Sequence, residues 1–411
     1  MSKKTVRAIE GRGQRVLLRL DLNVPMDDQG GITDDRRIRA ALPTITHLLG
    51  GGARLILMSH LGRPKGDPTA DKRLTLAPVA ARLAELLGRP VTFIPDCVGP
   101  RASHAVADLV DGDCCLLENL RFHKAETIKD NKAAGDPALG EAKTSFARQL
   151  ADLAEVYVND AFGTCHRDNA SMLTVPQLME GKARVIGFLV ERELKFLGEA
   201  LAEPARPFVA ILGGAKVSDK IGVIDALRSR CDFILIGGAM TYTFLGAEGV
   251  DVGESLCEPA AFDTARRLRA SAGDKLRLPV DSVVAAELKP GVETWVCAGA
   301  IPDGAMGLDI GPRTLDAYSE ILSKAGTVVW NGPMGVFETP PFDRGTVEIA
   351  HRVAEATDRG AITIIAGGDS AAAVAQAGLS DRMTHISTGG GASLEYLEGK
   401  MFRAIEVLDD A

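Results

Sequence analysis

At 411 residues, 46% of them hydrophobic and 25% charged, the chain is long enough for two domains and has the composition of a globular protein. Its net charge of −8 argues against nucleic-acid binding. No apolar stretch is long enough to span a membrane or form a signal core, so a cytoplasmic protein is expected. The seven cysteines include no C-x-x-C pair and are odd in number, which argues against a disulfide framework or a structural zinc site.

Short apolar runs recur along the first half, at 15–20, 54–60, 114–120 and 155–160. Runs this short and continuous suit strands buried on both faces, and alternation with helical stretches implies parallel sheets. The segment 77–88 repeats apolar residues at helical spacing and ends at Gly88, a good C-terminal cap. The stretch 130–140 reads as a polar loop. Basic and polar residues stand just past each run: Asp21 and Asn23, then His60 and Arg63, then Arg121, then His166 and Arg167, with Arg37 in "TDDRRIRA". If the strands are neighbours, four arginines and two histidines converge on one sheet end. Guanidinium forks bind carboxylate and phosphate by paired hydrogen bonds, so a small ligand carrying both groups is the simplest anion to need them. Charge agrees: residues 1–185 carry 26 Lys and Arg against 23 Asp and Glu, the remainder 21 against 32.

A boundary falls near 175–205. Val190, Leu194, Leu197 and Leu201 make one apolar helical stripe, ended by Pro204. Beyond it the apolar runs end in glycines, at Gly213–Gly214, Gly237–Gly238 and Gly367–Gly368, with Gly389, Gly390 and Gly391 near the end. Such turns either let backbone approach a ligand or pack tightly on one another. A helix starting near Ala215 would put Lys216 and Lys220 on one face above its positive end, suited to phosphate. Asp369, beside Ser370, suits Mg²⁺ held together with substrate phosphates. Glu338 suits a ribose. Nucleophile, zinc and strict dinucleotide motifs are missing, whereas direct phosphoryl transfer needs only positioning and neutralised charge.

Together these stretches resemble phosphoglycerate kinase over essentially the whole chain: "RLDLNVP", "RRIRAALPTI", "SHLGRP", "LENLRFH", "YVNDAFGTCHR", "AILGGAKVSDKI", "IGGAMTYTFL", "TVVWNGPMGVFE", "IAGGDS" and "STGGGASLEYLEGK", in order. The resemblance implies two Rossmann-like α/β domains, each a three-layer αβα parallel sheet, facing a cleft and joined by a helix. It implies boundaries of 1–187 for a 3-phosphoglycerate domain, 188–203 for the helix, 204–388 for a nucleotide domain, and a tail, 389–411, returning to the first. The implied reaction is 1,3-bisphosphoglycerate + ADP ⇌ 3-phosphoglycerate + ATP, with Mg²⁺, in a monomer that closes by hinge bending. His385 lies near one hinge segment, although a surface histidine is the plainer reading.

The glycerate side would comprise Asp21, Leu22, Asn23, Arg37, His60, Leu61, Gly62, Arg63, Arg121, His166 and Arg167. The nucleotide side would comprise Gly214, Lys216, Lys220, Gly237, Gly238, Gly307, Asn331, Glu338, Gly367, Gly368, Asp369 and Ser370, with Asp369 the metal ligand. Arg37, Lys216 and Gly389–Gly391 would attend the transferring phosphoryl group. Two stretches depart from the family pattern: "DNAS" after Arg167, and a tail, "MFRAIEVLDDA", without a Leu-Pro-Gly stop.

Overall fold

The computed structural model describes residues 2–67 and 71–411; the side chains of 199–201, and so the last member of the helical stripe, Leu201, lie outside the described set. The chain divides into two compact units, Met1–Leu194 with Met401–Ala411, and Lys195–Lys400.

The first unit is built on six parallel strands: β1 (Arg15–Leu20), β2 (Arg54–Met58), β3 (Thr92–Ile94), β4 (Cys114–Leu117), β5 (Val156–Asp160) and β6 (Ala183–Ile186). Their order is β3-β4-β2-β1-β5-β6. Leu18 pairs with Leu57 on one side and Val158 on the other, so the apolar runs meet in register. The four strands followed by basic residues, β4, β2, β1 and β5, are therefore consecutive neighbours, and their carboxyl ends share one edge. Beneath them Leu18, Leu55, Leu57 and Val158 join Ile38, Ile45 and Leu48 of the helix Arg36–Gly50 in one core. The helix Ala77–Leu87 stops at Gly88 (φ +63°), whose N–H returns to Ala84 and Glu85 carbonyls, as its composition predicts.

The second unit repeats the plan with β7 (Phe208–Leu212), β8 (Phe233–Ile236), β9 (Leu276–Arg277), β13 (Thr327–Asn331), β14 (Ile362–Ala366) and β15 (His385–Ile386), ordered β15-β14-β13-β7-β8-β9 and all parallel. Trp330 is fully buried and packs with Val209, Ile211 and Val353. A three-stranded sheet of β10 (Ser282–Ala285), β11 (Trp295–Cys297) and β12 (Met306–Ile310), ordered β11-β10-β12, is antiparallel. Uniform strand–helix alternation did not anticipate it. No helix separates these three strands: β10 and β11 pair as sequence neighbours, and β12 returns to the other side of β10.

Three expectations are corrected. The polar stretch 130–140 is not a loop but two helices, Asp130–Gly135 and the start of Pro137–Ala151. The Asp136 carboxylate accepts from the N–H of Ala138 and Leu139 with proline at the first turn, a start signal present in the sequence. The helix after β7 spans Ile221–Leu227 rather than beginning near Ala215. Gly214, at φ +119°, and a turn closed by Lys220 N–H to the Val217 carbonyl (2.9 Å) delay it. His385 is buried (3% exposed), its ring stacked on Phe196 at 4.9 Å.

The contact boundaries fall at 194/195 and 400/401. The helix Phe188–Ala202 accounts for the first. Its opening N–H groups bond Thr44 Oγ1 (2.9 Å) and Asp160 Oδ1 (2.8 Å) of the first unit, while Phe196 stacks within the second. The final residues bond back into the first unit: Leu408 O accepts from Lys3 Nζ (2.6 Å), and Asp409 and Arg403 pair with Arg184 and Asp130.

Candidate active site

In the first unit the loops after β1, β2 and β4 are tied together by their own polar atoms. Ser59 Oγ accepts from Leu22 N–H (2.9 Å) and donates to the Leu20 carbonyl (2.9 Å). Asn23 Oδ1 accepts from Gly62 N–H (2.8 Å), and Arg121 Nη1 donates to the Gly62 carbonyl (2.6 Å). Asn119 spans the loops after β2 and β4, accepting from Leu61 N–H and donating to the Leu61 and Leu74 carbonyls. Arg37 leans back from the start of its helix to both oxygens of Asp21, at 2.8 Å.

These ties concentrate positive charge. His60 is buried, and burial followed by the fields of Arg19, Arg121, Arg37 and Arg167 holds its imidazole well below the usual histidine range. Burial, Arg19 and Arg167 push Arg121 down to about 10. Cationic groups that disfavour each other's charge mark a place prepared for an anion. A cavity of about 580 Å³ lies here, lined by Arg63, Arg121 and Arg167 together with Lys65, Lys72 and Lys124. His166 is half-buried beside Arg167. Asp21, Asn23, Arg37, His60, Arg63, Arg121 and Arg167 are thus brought together in this unit.

In the second unit the site is made of turns. Lys220 Nζ, partly buried, donates to Asn331 Oδ1 at the end of β13, and Asn331 Nδ2 donates to the Ala366 carbonyl at the end of β14 (2.8 Å). Burial lowers the Lys220 pKa, opposed by Asp219 and Asp369, which places both carboxylates in its field. Ser370 Oγ accepts from Gly332 N–H (2.6 Å). Gly367, at φ +95°, opens the helix Gly368–Gln376, whose first turn carries Asp369, exposed. Gly307 lies on β12, where a Cβ would overlap the Tyr242 hydroxyl; Tyr242 belongs to the helix that follows Gly237–Gly238. Gly389 N–H donates to Ser387 Oγ (3.1 Å), and Gly391 begins a short helix. Lys216 is exposed in the turn before Ile221, not on a helix face with Lys220, and Glu338 is exposed in the loop after β13.

Several residues escaped the sequence reading: Arg19, Ser59, Asn119, Glu126 and Ser171, and the cavity lysines. Arg19 sat in plain view, a charge inside the apolar run "RVLLRL". A charge there must be buried and paired, and Arg19 is 0% exposed.

The family model described as phosphoglycerate kinase matches residues 6–400. Phosphoglycerate kinases of Rhodopirellula baltica and Chlorobium limicola are each 51% identical over 414 residues, covering 100% of both chains. The phosphoglycerate kinase structure from Coxiella burnetii superposes with a TM-score of 0.84 at 38% identity, covering 98% of each chain. That from Pyrococcus horikoshii gives 0.84 at 32% identity, covering 99% of this chain and 98% of the other. The chain belongs to the phosphoglycerate kinase family. The family's reaction is transfer of a phosphoryl group between 1,3-bisphosphoglycerate and ADP, forming 3-phosphoglycerate and ATP. Like other members it is a kinase with two α/β units.

The resemblance noted in the sequence implies Mg²⁺ beside the nucleotide. Among the described residues no cluster of three His, Cys, Asp or Glu side chains is assembled for one. Asp369 alone, exposed and in the field of Lys220, fits an ion that takes one carboxylate and completes its shell with nucleotide phosphates and water. No helix among the described residues is long and apolar enough to cross a membrane.

Proposed function

We propose that the two units divide the phosphoglycerate kinase reaction between them. The first holds 3-phosphoglycerate or 1,3-bisphosphoglycerate. Arg63, Arg121 and Arg167 grip its phosphate, while Asp21, Asn23, Arg37, His60 and His166, with the Leu22 and Leu61–Gly62 backbone, orient the carboxyl end. The observation that carries this reading is a cavity lined by Arg63, Arg121 and Arg167, beside a buried His60 that lies in the fields of Arg19, Arg37, Arg121 and Arg167. A dinucleotide oxidoreductase or a non-catalytic adaptor has no use for it.

The second unit holds ADP or ATP. Lys216 and Lys220 meet phosphates beside Gly214, Gly237–Gly238, Asn331, Gly367–Gly368 and Ser370. Gly307 meets the adenosine and Glu338 the ribose. Asp369 would hold Mg²⁺, which when bound neutralises phosphate charge. Arg37, Lys216 and the N–H groups of Gly389–Gly391 attend the transferring group. Transfer is direct: the β-phosphate oxygen of ADP attacks the acyl phosphate, and the carboxylate of 3-phosphoglycerate leaves. Both oxygens are anionic, so no general base is required, and catalysis rests on charge neutralisation and on bringing the reacting atoms within about 3–3.5 Å. Turnover therefore requires the two ligands to be brought together by closure, in a cytoplasmic monomer.

The test is an assay of ATP formation from 1,3-bisphosphoglycerate and ADP, with and without Mg²⁺. Metal-dependent ATP formation is the expected result. Failure to form ATP under both conditions would refute the reading.

A further inference from the structure

Beneath the proposed substrate site runs a buried polar chain that the reaction as described does not use. Arg19 projects from β1 and is 0% exposed. Its Nε donates to Ser171 Oγ (2.9 Å), one Nη donates to the Leu20 carbonyl, and Nη2 stands 3.3 Å from His60 Nδ1. Ser171 Oγ in turn donates to Glu126 Oε1 (2.7 Å). Glu126, also 0% exposed, accepts in addition from Ser171 N–H (2.9 Å) and Asn169 Nδ2 (3.1 Å). The serine hydroxyl thus links a buried cation to its buried counter-charge.

A guanidinium has no acceptor atom. Nδ1 of His60 must therefore present its lone pair to Arg19, which leaves the proton of the neutral ring on Nε2. Asp21 Oδ1, at 4.0 Å from Nε2, is beyond hydrogen-bond reach, and both Asp21 oxygens already accept from Arg37. We infer that Arg19, anchored through Ser171 to Glu126, is a positioning residue that fixes His60 as the Nε2–H tautomer and so aims a neutral donor at bound 3-phosphoglycerate. The inference rests on the reading of the first unit as the glycerate site.

A neutral donor serves better here than an imidazolium. The charged groups facing His60 are Arg19 on β1, Arg37 and Asp21 after β1, Arg121 after β4 and Arg167 after β5. A further cation among four arginines would be repelled, whereas a fixed N–H adds direction without charge.

The experiment is long-range ¹H–¹⁵N NMR on ¹⁵N-histidine-labelled full-length protein between pH 5 and 8, which distinguishes the two tautomers directly. The wild type is expected to show His60 protonated on Nε2 alone throughout. Arg19→Met removes the donor and the nearest positive charge. It is expected to give a tautomer mixture, a higher protonation midpoint for His60, and about tenfold weaker 3-phosphoglycerate binding with nucleotide binding unchanged. Should Arg19→Met fail to fold, Ser171→Ala keeps the volume and releases Arg19 from Glu126, with the same changes in smaller degree. A wild-type His60 protonated on Nδ1, or a tautomer unmoved in the folded variants, would overturn the inference. Resonances of His60 that follow the tautomer expectations yet ignore added 3-phosphoglycerate would instead sink the substrate reading.

Discussion

The two units each carry a six-stranded parallel sheet with a candidate site at its carboxyl edge, though the strand orders differ, and they make those sites from different material. The first uses side chains: Arg37 on Asp21, Asn23 on Gly62, Arg121 on the Gly62 carbonyl. The second uses turns, and several of its glycines serve packing first. A Cβ on Gly213 would overlap the Pro333 carbonyl, one on Gly332 would overlap that of Gly213, and one on Gly238 would come within 2.6 Å of Gly214 N. Where space remains, as at Gly368 and Gly390, with nothing within 4 Å of such a Cβ, a glycine leaves room for a ligand. The two explanations for glycine turns thus apply to different glycines.

The largest effect should come from the second unit's exposed cation. Lys216 neither caps a helix nor fills a core, so Lys216→Ala should leave the fold intact. On the proposed assignment it loses kcat by on the order of 10³-fold while nucleotide affinity stays within several-fold. Steady-state kinetics beside a nucleotide titration measure both, and near-normal turnover would remove this lysine from the mechanism. Next comes the packing claim. Gly213→Ala should cost about 3 kcal/mol of stability, because backbone rather than a flexible side chain fills the space. Gly368→Ala should cost under about 0.5 kcal/mol yet weaken ADP binding. Denaturant midpoints for the pair decide it; equal losses would erase the distinction between packed and open glycines.

Legibility in the sequence followed the same division. Apolar runs ending in polar residues in the first unit and in glycines in the second revealed the four central strands of each six-stranded sheet, because a doubly buried strand leaves a continuous signature. The arginines after those strands could be read only as a set, since it is their repeated place beyond the runs, rather than any one of them, that points to an anion. What stayed hidden depended on distant partners. The place of Arg19 inside an apolar run marks it as buried, but its partners Ser171 and Glu126 are distant in sequence, and Asn119 acquires its task only when Leu61 and Leu74 come near. The late start of the helix at Ile221 was hidden for a local reason, a turn through 217–220 that helical periodicity does not register.

A sharper test of the side-chain site is Arg63→Ala. Arg63 is exposed on the cavity rim, so its removal should not move the unfolding midpoint. Losing one charge-assisted pair to phosphate should weaken 3-phosphoglycerate binding about 30-fold and leave ADP binding alone. Isothermal titration with each ligand separates the two. Loss confined to ADP would reverse the assignment of the units.

The smallest effect probes a strand-end carboxylate that serves the fold rather than a ligand. Asp160 ends β5, is fully buried, and accepts from the Leu189 and Val190 N–H groups that open the helix Phe188–Ala202. Burial raises its pKa to about 7, above the ordinary 3.8, and its Oδ2 has no hydrogen-bond partner among the described residues. Between those values the native state holds a proton that the unfolded chain has lost. The resulting stabilisation is complete below about pH 4 and fades as pH rises through 7. Asp160→Asn keeps the Oδ1 acceptor and replaces the unpartnered oxygen with a neutral group. Relative to wild type it should gain about 1–2 kcal/mol between pH 5 and pH 8, read from denaturant midpoints across that range. A flat difference would mean that Asp160 keeps its charge when buried, and that the helix N-terminus outweighs desolvation there.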